Sequence, residues 1–296
     1  SFQMRTLVLT LLALVAAAAA TPLCGQVKQN PMSAAFVNSP EVQAVIRAKR
    51  GGNQTGEALL GGTYAKYGSW PWTVAICLKD WFGTCNLRLA GSIISDRWVV
   101  ASYSELDKNE KPTNWYVRAG STTWNSGGQY VQVQDIYHLT DADTKYHYDD
   151  IALVHLGIPL TFNDYVQPIC LTSNDAGMVD PGDKGWFVGW GHSSGSDFAT
   201  QEKSLMQAKF PITDNGVCRN KYKNFSEKNM CAGAGQTTAC NYDQGGGLMQ
   251  EKNGIWYLLG IEANNINFGK CDSATIFTRA SQYCNWFQSR AGVSCI

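Results

Sequence analysis

Short apolar runs separated by clusters of Gly, Asn, Asp and Ser fill the chain from Leu59 to the C-terminus. Short runs bounded by turn-forming residues predict many β-strands, as in a β-sandwich or a pair of β-barrels. The clearest runs are 72–76, 98–100, 130–133, 151–154 and 256–261. Near the C-terminus the pattern changes, and residues 281–289 favour one amphipathic helix. The pattern therefore predicts an all-β domain that closes with a short helix.

The residues before Leu59 have a different pattern. Arg5 precedes an almost wholly apolar stretch, residues 7–20, that ends in small Ala residues. This arrangement predicts a secretory signal peptide over residues 1–20, since the stretch is short for a membrane span and lacks the amphipathic face of a buried helix. Residues 21–58 are polar with little periodicity. We therefore expect a signal peptide, a polar leading segment and one domain over residues 59–296.

The charge balance excludes some classes of partner. Lys and Arg together number 24, and so do Asp and Glu, which makes the formal net charge zero. Binding to nucleic acid or to an acidic membrane calls for a basic excess. We therefore expect no nucleic-acid partner, and no membrane span once the signal peptide is removed.

The ten Cys residues indicate an oxidising compartment. An even number of Cys behind a signal peptide predicts a disulfide framework and a secreted, extracellular protein. No Cys or His cluster has the spacing of a zinc site, so we expect no metal and no cofactor. Asn53 and Asn224 begin Asn-X-Ser/Thr motifs and are candidate glycosylation sites.

Eight short motifs follow one another in an order that resembles the chymotrypsin/trypsin-like serine protease family. They are 60–62 with 68–72, 91–94 with 98–100, 150–153, 167–171, 189–191, 230–233, 243–248, and 277–279 with the final helix. The resemblance runs from about Leu59 to the C-terminus. It implies two six-stranded antiparallel β-barrels with a short C-terminal helix, and it makes residues 21–58 a pro-segment.

The resemblance also shows where this chain departs from the family's catalytic residues. Ser104 stands at the position of the catalytic His, and Gln244 stands at the position of the nucleophilic Ser. Asp150 remains at the position of the catalytic Asp, where we expect a buried carboxylate that accepts hydrogen bonds from loops or from Ser104. A hydroxyl cannot act as a base at neutral pH as an imidazole does, and a carboxamide is no nucleophile on this pathway. The four His residues lie elsewhere, at 138, 147, 155 and 192.

The groups that assist catalysis in the family are altered as well. Tyr242 stands where a Gly contributes an oxyanion donor, and a bulky residue there disfavours the required backbone geometry. Two Gly residues that line the specificity pocket are replaced by Asn265 and Thr275, with Thr238 at the pocket base. The resemblance therefore implies a filled pocket and no peptidase activity.

Activation by proteolysis also differs from the family pattern. The family is cut after a basic residue just before Leu59, but residues 57–58 are Glu and Ala. A basic stretch, residues 47–50, lies upstream. Two interpretations stay open: cleavage after Arg50 by a proprotein convertase, or a solvated basic surface.

Family positions imply three of the disulfides. Cys218 is expected to pair with Cys231, Cys240 with Cys271, and Cys24 with Cys170, which would tether the pro-segment to the domain. The remaining residues then pair as Cys77–Cys85 and Cys284–Cys295, leaving no free thiol. A different connectivity stays open, because sequence alone does not determine it.

The leading hypothesis for function is a secreted serine protease homologue that lacks peptidase activity and binds one or more unidentified extracellular proteins. One alternative is an active chymotrypsin-like endopeptidase with an unusual site, and another is a glycosylated structural or matrix protein. Aromatic residues in loops are candidate anchors for a partner, with packing inside the protein as an equal alternative for each. They are Trp81, Phe82, Trp115 and Trp124.

Overall fold

A computed structural model gives the fold of the domain and of a short piece of the preceding segment. It describes residues 24–27, 62–106, 109–139, 149–191, 203–221, 225–233, 238–239, 243–263 and 274–296. The predicted signal peptide, most of residues 21–58, the candidate glycosylation residues Asn53 and Asn224 and the candidate cleavage site at Arg50 lie outside the described residues.

Six antiparallel strands close the first barrel, in the order β2-β3-β4-β7-β6-β5. These strands are β2 (Thr73–Lys79), β3 (Cys85–Ile93), β4 (Trp98–Ala101), β5 (Trp115–Ala119), β6 (Gln129–His138) and β7 (Ala152–Leu156). Strand β5 shows why they form a barrel, since Trp115, Val117 and Ala119 point into the core while the residues between them are half-exposed. Trp115 is therefore a core residue, and its interpretation as a surface anchor is wrong.

A second antiparallel barrel has the order β9-β10-β13-β12-β11-β8 and closes through pairing of β8 with β9. Its strands are β8 (Lys184–Gly189), β9 (Met206–Thr213), β10 (Asn229–Ala232), β11 (Gly247–Lys252), β12 (Ile255–Glu262) and β13 (Thr275–Arg279). The short strand β1 (Thr63–Tyr64) also pairs with the start of β9. The rings of Phe187, Phe210 and Phe277 pack together inside it. The prediction of two six-stranded antiparallel barrels is confirmed.

Large aromatic side chains fill the junction between the barrels. The Trp70 ring lies 5.0 Å from that of Trp256 and 6.2 Å from that of Trp72, and all three are buried. Such rings contribute large buried areas and favour edge-to-face contacts. The two barrels therefore share one continuous core, which holds their facing loops in a fixed position.

Helices are short and lie on the outside of the barrels. Helix α1 (Asn215–Lys221) was not predicted, because its sequence has little apolar periodicity. The predicted C-terminal helix is present, although it begins with a 3₁₀ turn, Ala280–Tyr283, before α2 (Cys284–Ala291). Buried Phe287 anchors α2 to the core, and Gly292 ends it in the left-handed conformation with a φ of 69°. No helix in the described ranges is long and apolar enough to span a membrane.

Four disulfides lie within the described residues. They are Cys24–Cys170, Cys77–Cys85, Cys218–Cys231 and Cys284–Cys295. These pairs are the ones expected above, whereas Cys240 and Cys271 lie outside the described residues. Each disulfide typically stabilises a fold by ~2–4 kcal/mol.

The residues around Cys24 are tethered to the domain by more than the disulfide. The Gly25 amide donates to the Pro168 carbonyl at 2.8 Å, and the Trp256 amide donates to the Gly25 carbonyl at 2.9 Å. Gly25 has a φ of +66°, and a Cβ there would overlap the Trp256 carbonyl. This close approach fixes residues 24–25 against the second barrel.

This tether predicts the behaviour of the chain after cleavage. If an Arg-specific endoprotease cuts after Arg50 in a limited digest, residues 21–50 should stay attached under non-reducing conditions and separate only after reduction. Mass spectrometry with and without reductant measures this directly. A Cys24→Ser variant should release the fragment without reductant, and release from the wild-type chain without reductant would contradict the tether.

Candidate functional site

Pairing of β4 with β7 brings the predicted His and Asp positions together. Ala101 at the end of β4 lies opposite Ala152 at the start of β7. Ser104 lies three residues after the end of β4, and Asp150 lies two residues before the start of β7. Because antiparallel neighbours place the end of one strand beside the start of the other, both residues reach the same edge of the first barrel.

The Asp150 carboxylate is buried and accepts four hydrogen bonds. The Ser102 and Ser104 hydroxyls each donate to Oδ2 at 2.8 Å. The amides of Tyr103 and Ser104 each donate to Oδ1 at 2.7 Å. Asp150 is 1% exposed, so these donors replace the water that would otherwise solvate its charge. Asp150 thus holds the loop that follows β4, as the sequence predicted for a carboxylate bonded by Ser104.

Neighbouring groups fix the backbone on which Asp150 sits. The Thr278 hydroxyl donates to the Asp150 carbonyl at 3.0 Å. Asp149 accepts from the Tyr283 hydroxyl at 2.6 Å and forms an ion pair with Lys228 at 2.9 Å. Burial and then the bond to Asp149 raise the pKa of the Tyr283 phenol, so it remains a donor. Contacts from the second barrel and from the C-terminal segment therefore fix the loop of the first barrel that carries Asp149 and Asp150.

Gln244 occupies the junction between the barrels. Its carbonyl accepts the Ala90 amide of β3 at 2.8 Å, and Gln244 itself is 6% exposed. The next residue, Gly245, has a φ of +76°, and a Cβ there would overlap the Ala90 carbonyl and lie 3.2 Å from the Ser102 amide nitrogen. The turn requires glycine for this close approach. It places Gln244 beside the loop that carries Ser104.

A group of carboxyls lies behind this turn. Asp243 is fully buried and accepts the Gly191 amide at 2.9 Å. Glu262, at the end of β12, is also fully buried, and both of its carboxyl oxygens are without a hydrogen-bond partner among the described residues. Burial, and then the charges of Asp243, Asp150 and Glu105, raise the pKa of Glu262 well above its ordinary value. Burial and then Asp150 likewise raise the pKa of Glu105. In both cases the raised pKa favours the neutral form of the carboxyl, because burial removes the water that would solvate its charge.

Thr residues meet at the position of the family's specificity pocket. The Thr238 and Thr275 hydroxyl oxygens lie 3.0 Å apart, and the Ala239 amide donates to the Thr275 hydroxyl at 3.3 Å. Both Thr residues are fully buried. The two residues that the resemblance puts at the base and one wall of the pocket are thus in direct contact. Asn265, predicted at the other wall, and Tyr242, predicted at the oxyanion position, lie outside the described residues.

The described imidazoles pack against other groups. The His138 ring stacks on Tyr103 at 4.0 Å, and its Nδ1 lies 2.8 Å from the Leu139 carbonyl. The His155 ring stacks on Trp98 at 4.4 Å. The other two His residues, 147 and 192, lie outside the described residues. In the part of the chain that the structure describes, no group of three His, Cys, Asp or Glu side chains is arranged to hold a metal ion.

Two members of the site were not singled out from the sequence. Ser102 bonds Asp150 directly, and its position two residues before Ser104 at the end of an apolar run was a usable signal. Glu262 directly follows the apolar run 256–261, where a charge usually marks the start of a turn. Its burial depends on contacts of β12 with β11 and β13, which sequence pattern alone does not specify.

Comparison with known proteins agrees with this arrangement of barrels and loops. The family model described as Trypsin matches residues 59–287. The chain is similar to Serine protease 41 of Homo sapiens, with 31% identity over 246 residues that cover 78% of this chain and 75% of the relative. It is similar to Testisin of Homo sapiens, with 29% identity over 251 residues, 78% of this chain and 77% of the relative. Ovochymase of Halocynthia roretzi is 29% identical over 254 residues, 82% of this chain but 16% of the relative. The chain therefore belongs to the trypsin family.

Proposed function

We propose that this trypsin-family protein is a secreted homologue that does not hydrolyse peptide bonds and acts by binding another extracellular protein. One observation carries the proposal: Ser104 occupies the position of the general base, and its hydroxyl donates to Asp150 at 2.8 Å. A hydroxyl oxygen is far too weak a base to take a proton from a nucleophile at neutral pH, whereas an imidazole held by the same carboxylate is not.

The absence of an imidazole at position 104 supports the proposal because the reaction requires a general base there. Acyl transfer in this fold needs an imidazole that first takes the nucleophile's proton and then gives it to the leaving amine. Neither Ser102 nor Ser104, the two hydroxyls on Asp150, titrates near neutral pH. The hydrogen bonds that Asp150 accepts from the loop that follows β4 support a structural role for its carboxylate.

The nucleophile is absent as well. Gln244 carries a carboxamide, which does not attack a carbonyl under these conditions. Removing either the nucleophile or the base from a comparable site costs about 10⁶ in turnover. An altered oxyanion donor at Tyr242 would cost a further factor of about 10²–10³ in an otherwise intact enzyme.

The contact between Thr238 and Thr275 supports the same proposal from the side of substrate binding. A side-chain pocket must be open to hold a substrate residue in register with the scissile bond. Thr238 and Thr275, which the resemblance puts at the base and one wall of that pocket, are buried and within hydrogen-bonding distance of each other. A substrate side chain would have to break that contact before it could enter.

What remains is a rigid scaffold suited to recognition. Disulfides clip loops on both barrels, and the shared Trp core fixes the barrels against each other. Loops on a rigid scaffold commonly carry binding. The disulfides and the predicted signal peptide support an extracellular location.

Affinity capture tests the binding role. The full chain, immobilised in its folded form, is exposed to the native fluid, and a reduced and alkylated chain serves as the matched control for non-specific adsorption. The proposal expects one protein to be recovered in near-stoichiometric amount on the folded chain alone. Equal recovery on both forms, or none, would favour a structural role instead. Hydrolysis of a peptide library in proportion to the amount of chain would favour an active enzyme.

A further inference from the structure

Two exposed tyrosine rings lie against each other on the surface of the domain. The ring centroids of Tyr67 and Tyr165 are 4.4 Å apart, and the ring planes are tilted by 31°. Tyr67 is 48% exposed and Tyr165 is 39% exposed. Because each side chain is in contact with the other and with solvent, a reagent in solution can reach both. We call these two residues the 67–165 pair.

The turn that carries Tyr67 brings the chain close to the other ring. In the turn 66–69 the amide of the last residue donates to the carbonyl of the first at 3.0 Å. Gly68 has a φ of +81° in this turn, a left-handed conformation that favours glycine. A Cβ on Gly68 would lie only 2.9 Å from Cδ1 of Tyr165. The backbone of this turn therefore approaches the Tyr165 ring directly.

The turn that carries Tyr165 is held by hydrogen bonds as well. In the turn 163–166 the amides of the first and last residues each donate to the other's carbonyl, at 3.0 and 3.3 Å. The Asn163 side chain accepts the Tyr165 amide at 2.8 Å. With both backbones held, each ring is positioned by only two side-chain torsions. The contact between the rings therefore follows from the fold of the two turns.

Two phenols in contact can be joined by oxidation. A haem peroxidase with hydrogen peroxide removes one hydrogen atom, that is a proton and an electron, from each phenol. The two phenoxyl radicals form one carbon–carbon bond between ring positions next to the hydroxyls, and the hydrogen on each of these carbons moves to its own phenol oxygen. The protein loses two hydrogen atoms in total, and one peroxide molecule takes them up to become two waters. Contact favours the joining step, because it makes that step intramolecular.

A second pair of tyrosines, Tyr116 and Tyr130, lies in a different environment, and we call it the 116–130 pair. Its rings stack 4.8 Å apart. The Arg118 guanidinium lies 4.6 Å from the centre of the Tyr130 ring, and the Lys79 ammonium lies 5.4 Å from that of Tyr116. A cation over a ring attracts the ring electrons, so it opposes the removal of an electron. Among the described residues, neither ring of the 67–165 pair has such a cation above it.

The 67–165 pair connects segments from different parts of the fold. Tyr67 lies between β1, which pairs with the second barrel, and β2 of the first barrel. Tyr165 lies in the connection from β7 to β8, which leads from the first barrel to the second. A carbon–carbon bond between the two rings would hold the entry to the first barrel against this connection. Unlike a disulfide, such a bond survives reducing agents.

We propose that Tyr67 and Tyr165 are a modification site, at which a peroxidase and hydrogen peroxide form an intramolecular dityrosine cross-link. Three observations support it together: the contact between the rings, the exposure of both side chains, and the cations that cover the rings of the 116–130 pair instead. This inference goes beyond the proposed function and does not depend on it.

Treatment of the purified full chain with a haem peroxidase and hydrogen peroxide, in dilute solution, tests the proposal. The monomer should lose the mass of two hydrogen atoms and gain the blue fluorescence of dityrosine. After reduction and digestion with trypsin, the peptide 67–79 should be found covalently joined to the peptide 146–184. Hydrogen peroxide without the peroxidase is the control and should give no joined peptides.

Phenylalanine variants show which side chains react. Tyr67→Phe and Tyr165→Phe each keep a ring in place but lack the hydroxyl from which the radical forms, so each should lose the joined peptides. Tyr64→Phe removes another exposed phenol, outside the pair, and should keep them. Thermal unfolding of the untreated variants establishes that they are folded. After treatment, the wild-type chain should unfold at a higher temperature than Tyr67→Phe, because a cross-link between distant residues restricts the unfolded chain.

Three outcomes would overturn the proposal. The first is a wild-type chain without the joined peptides, in a reaction that converts free tyrosine to dityrosine. The second is a pair of joined peptides that persists in both phenylalanine variants of the 67–165 pair. The third is coupling within the 116–130 pair, or between two molecules as a dimer that resists reduction, in place of coupling between Tyr67 and Tyr165.

Discussion

Replacing Asp150 with Ala should lower the free energy of unfolding by ~3–5 kcal/mol, because four donors, two of them fully buried, would lose their acceptor. The donors are the hydroxyls of Ser102 and Ser104 and the amides of Tyr103 and Ser104. Ser104→Ala removes one of these bonds and leaves the carboxylate with the others, so its cost should be about 1 kcal/mol. Equilibrium unfolding in guanidinium chloride with the disulfides intact measures both values.

The matched control for Asp150→Ala is Asp96→Ala, which removes an exposed carboxylate next to the same barrel and should change stability by less than ~0.5 kcal/mol. If Asp150 instead served catalysis alone, its replacement would leave stability near the wild-type value and lower a measurable turnover. That pair of results would contradict the structural role assigned to Asp150.

Glu262→Gln should change how stability depends on pH. Burial, followed by the charges of Asp243, Asp150 and Glu105, raises the pKa of Glu262 in the folded state well above its ordinary value. The folded state therefore keeps a proton that the unfolded chain releases near pH 4.3. Its contribution to stability is fully present below that pH and is lost as pH rises toward the raised folded-state pKa. Glutamine has no proton to lose, so this loss disappears in the variant.

The expected result is a pH-dependent difference in the free energy of unfolding between Glu262→Gln and the wild type. As pH rises from about 4 to about 8, this difference should move in favour of the variant by about 1.4 kcal/mol for each unit of pKa shift covered. Below that interval the difference should be constant. Glu251→Gln, on the paired strand β11 and only partly buried, is the control. A difference that does not vary with pH would contradict the buried, protonated state of Glu262.

The strands were largely predictable, because each depends on the apolar pattern of its own short segment. The apolar run 256–261 predicts a strand, and the structure extends it by one residue at each end as β12. Helix α1 was not predictable in the same way. Its short polar segment is held by the Cys218–Cys231 disulfide and by the Asn215 side chain, which accepts the Cys231 amide at 3.2 Å. Both contacts depend on the second barrel, so they are absent from any local pattern.

The site residues also differ in how far the sequence could predict them. The resemblance to a family located Ser104, Asp150 and Gln244, because it supplied register across the loops. It did not identify Ser102 as a second hydroxyl donor or Glu262 as an unpartnered buried acid, since both roles depend on how neighbouring strands pack. Thr275 was expected to project into a pocket with Thr238 at its base, and the structure adds a hydrogen-bond contact between the two hydroxyls.

Reaction with a fluorophosphonate probe tests the absence of a nucleophile most directly. The purified chain, both uncut and cut after Arg50, is incubated with the probe beside an active trypsin-family enzyme and a Gln244→Ala variant. We expect no labelling of the wild-type chain above that of the variant, in either form, because position 244 carries an amide and position 104 carries a hydroxyl bonded to Asp150. Stoichiometric labelling of the wild-type chain, mapped by mass spectrometry to one of its own side chains, would contradict it.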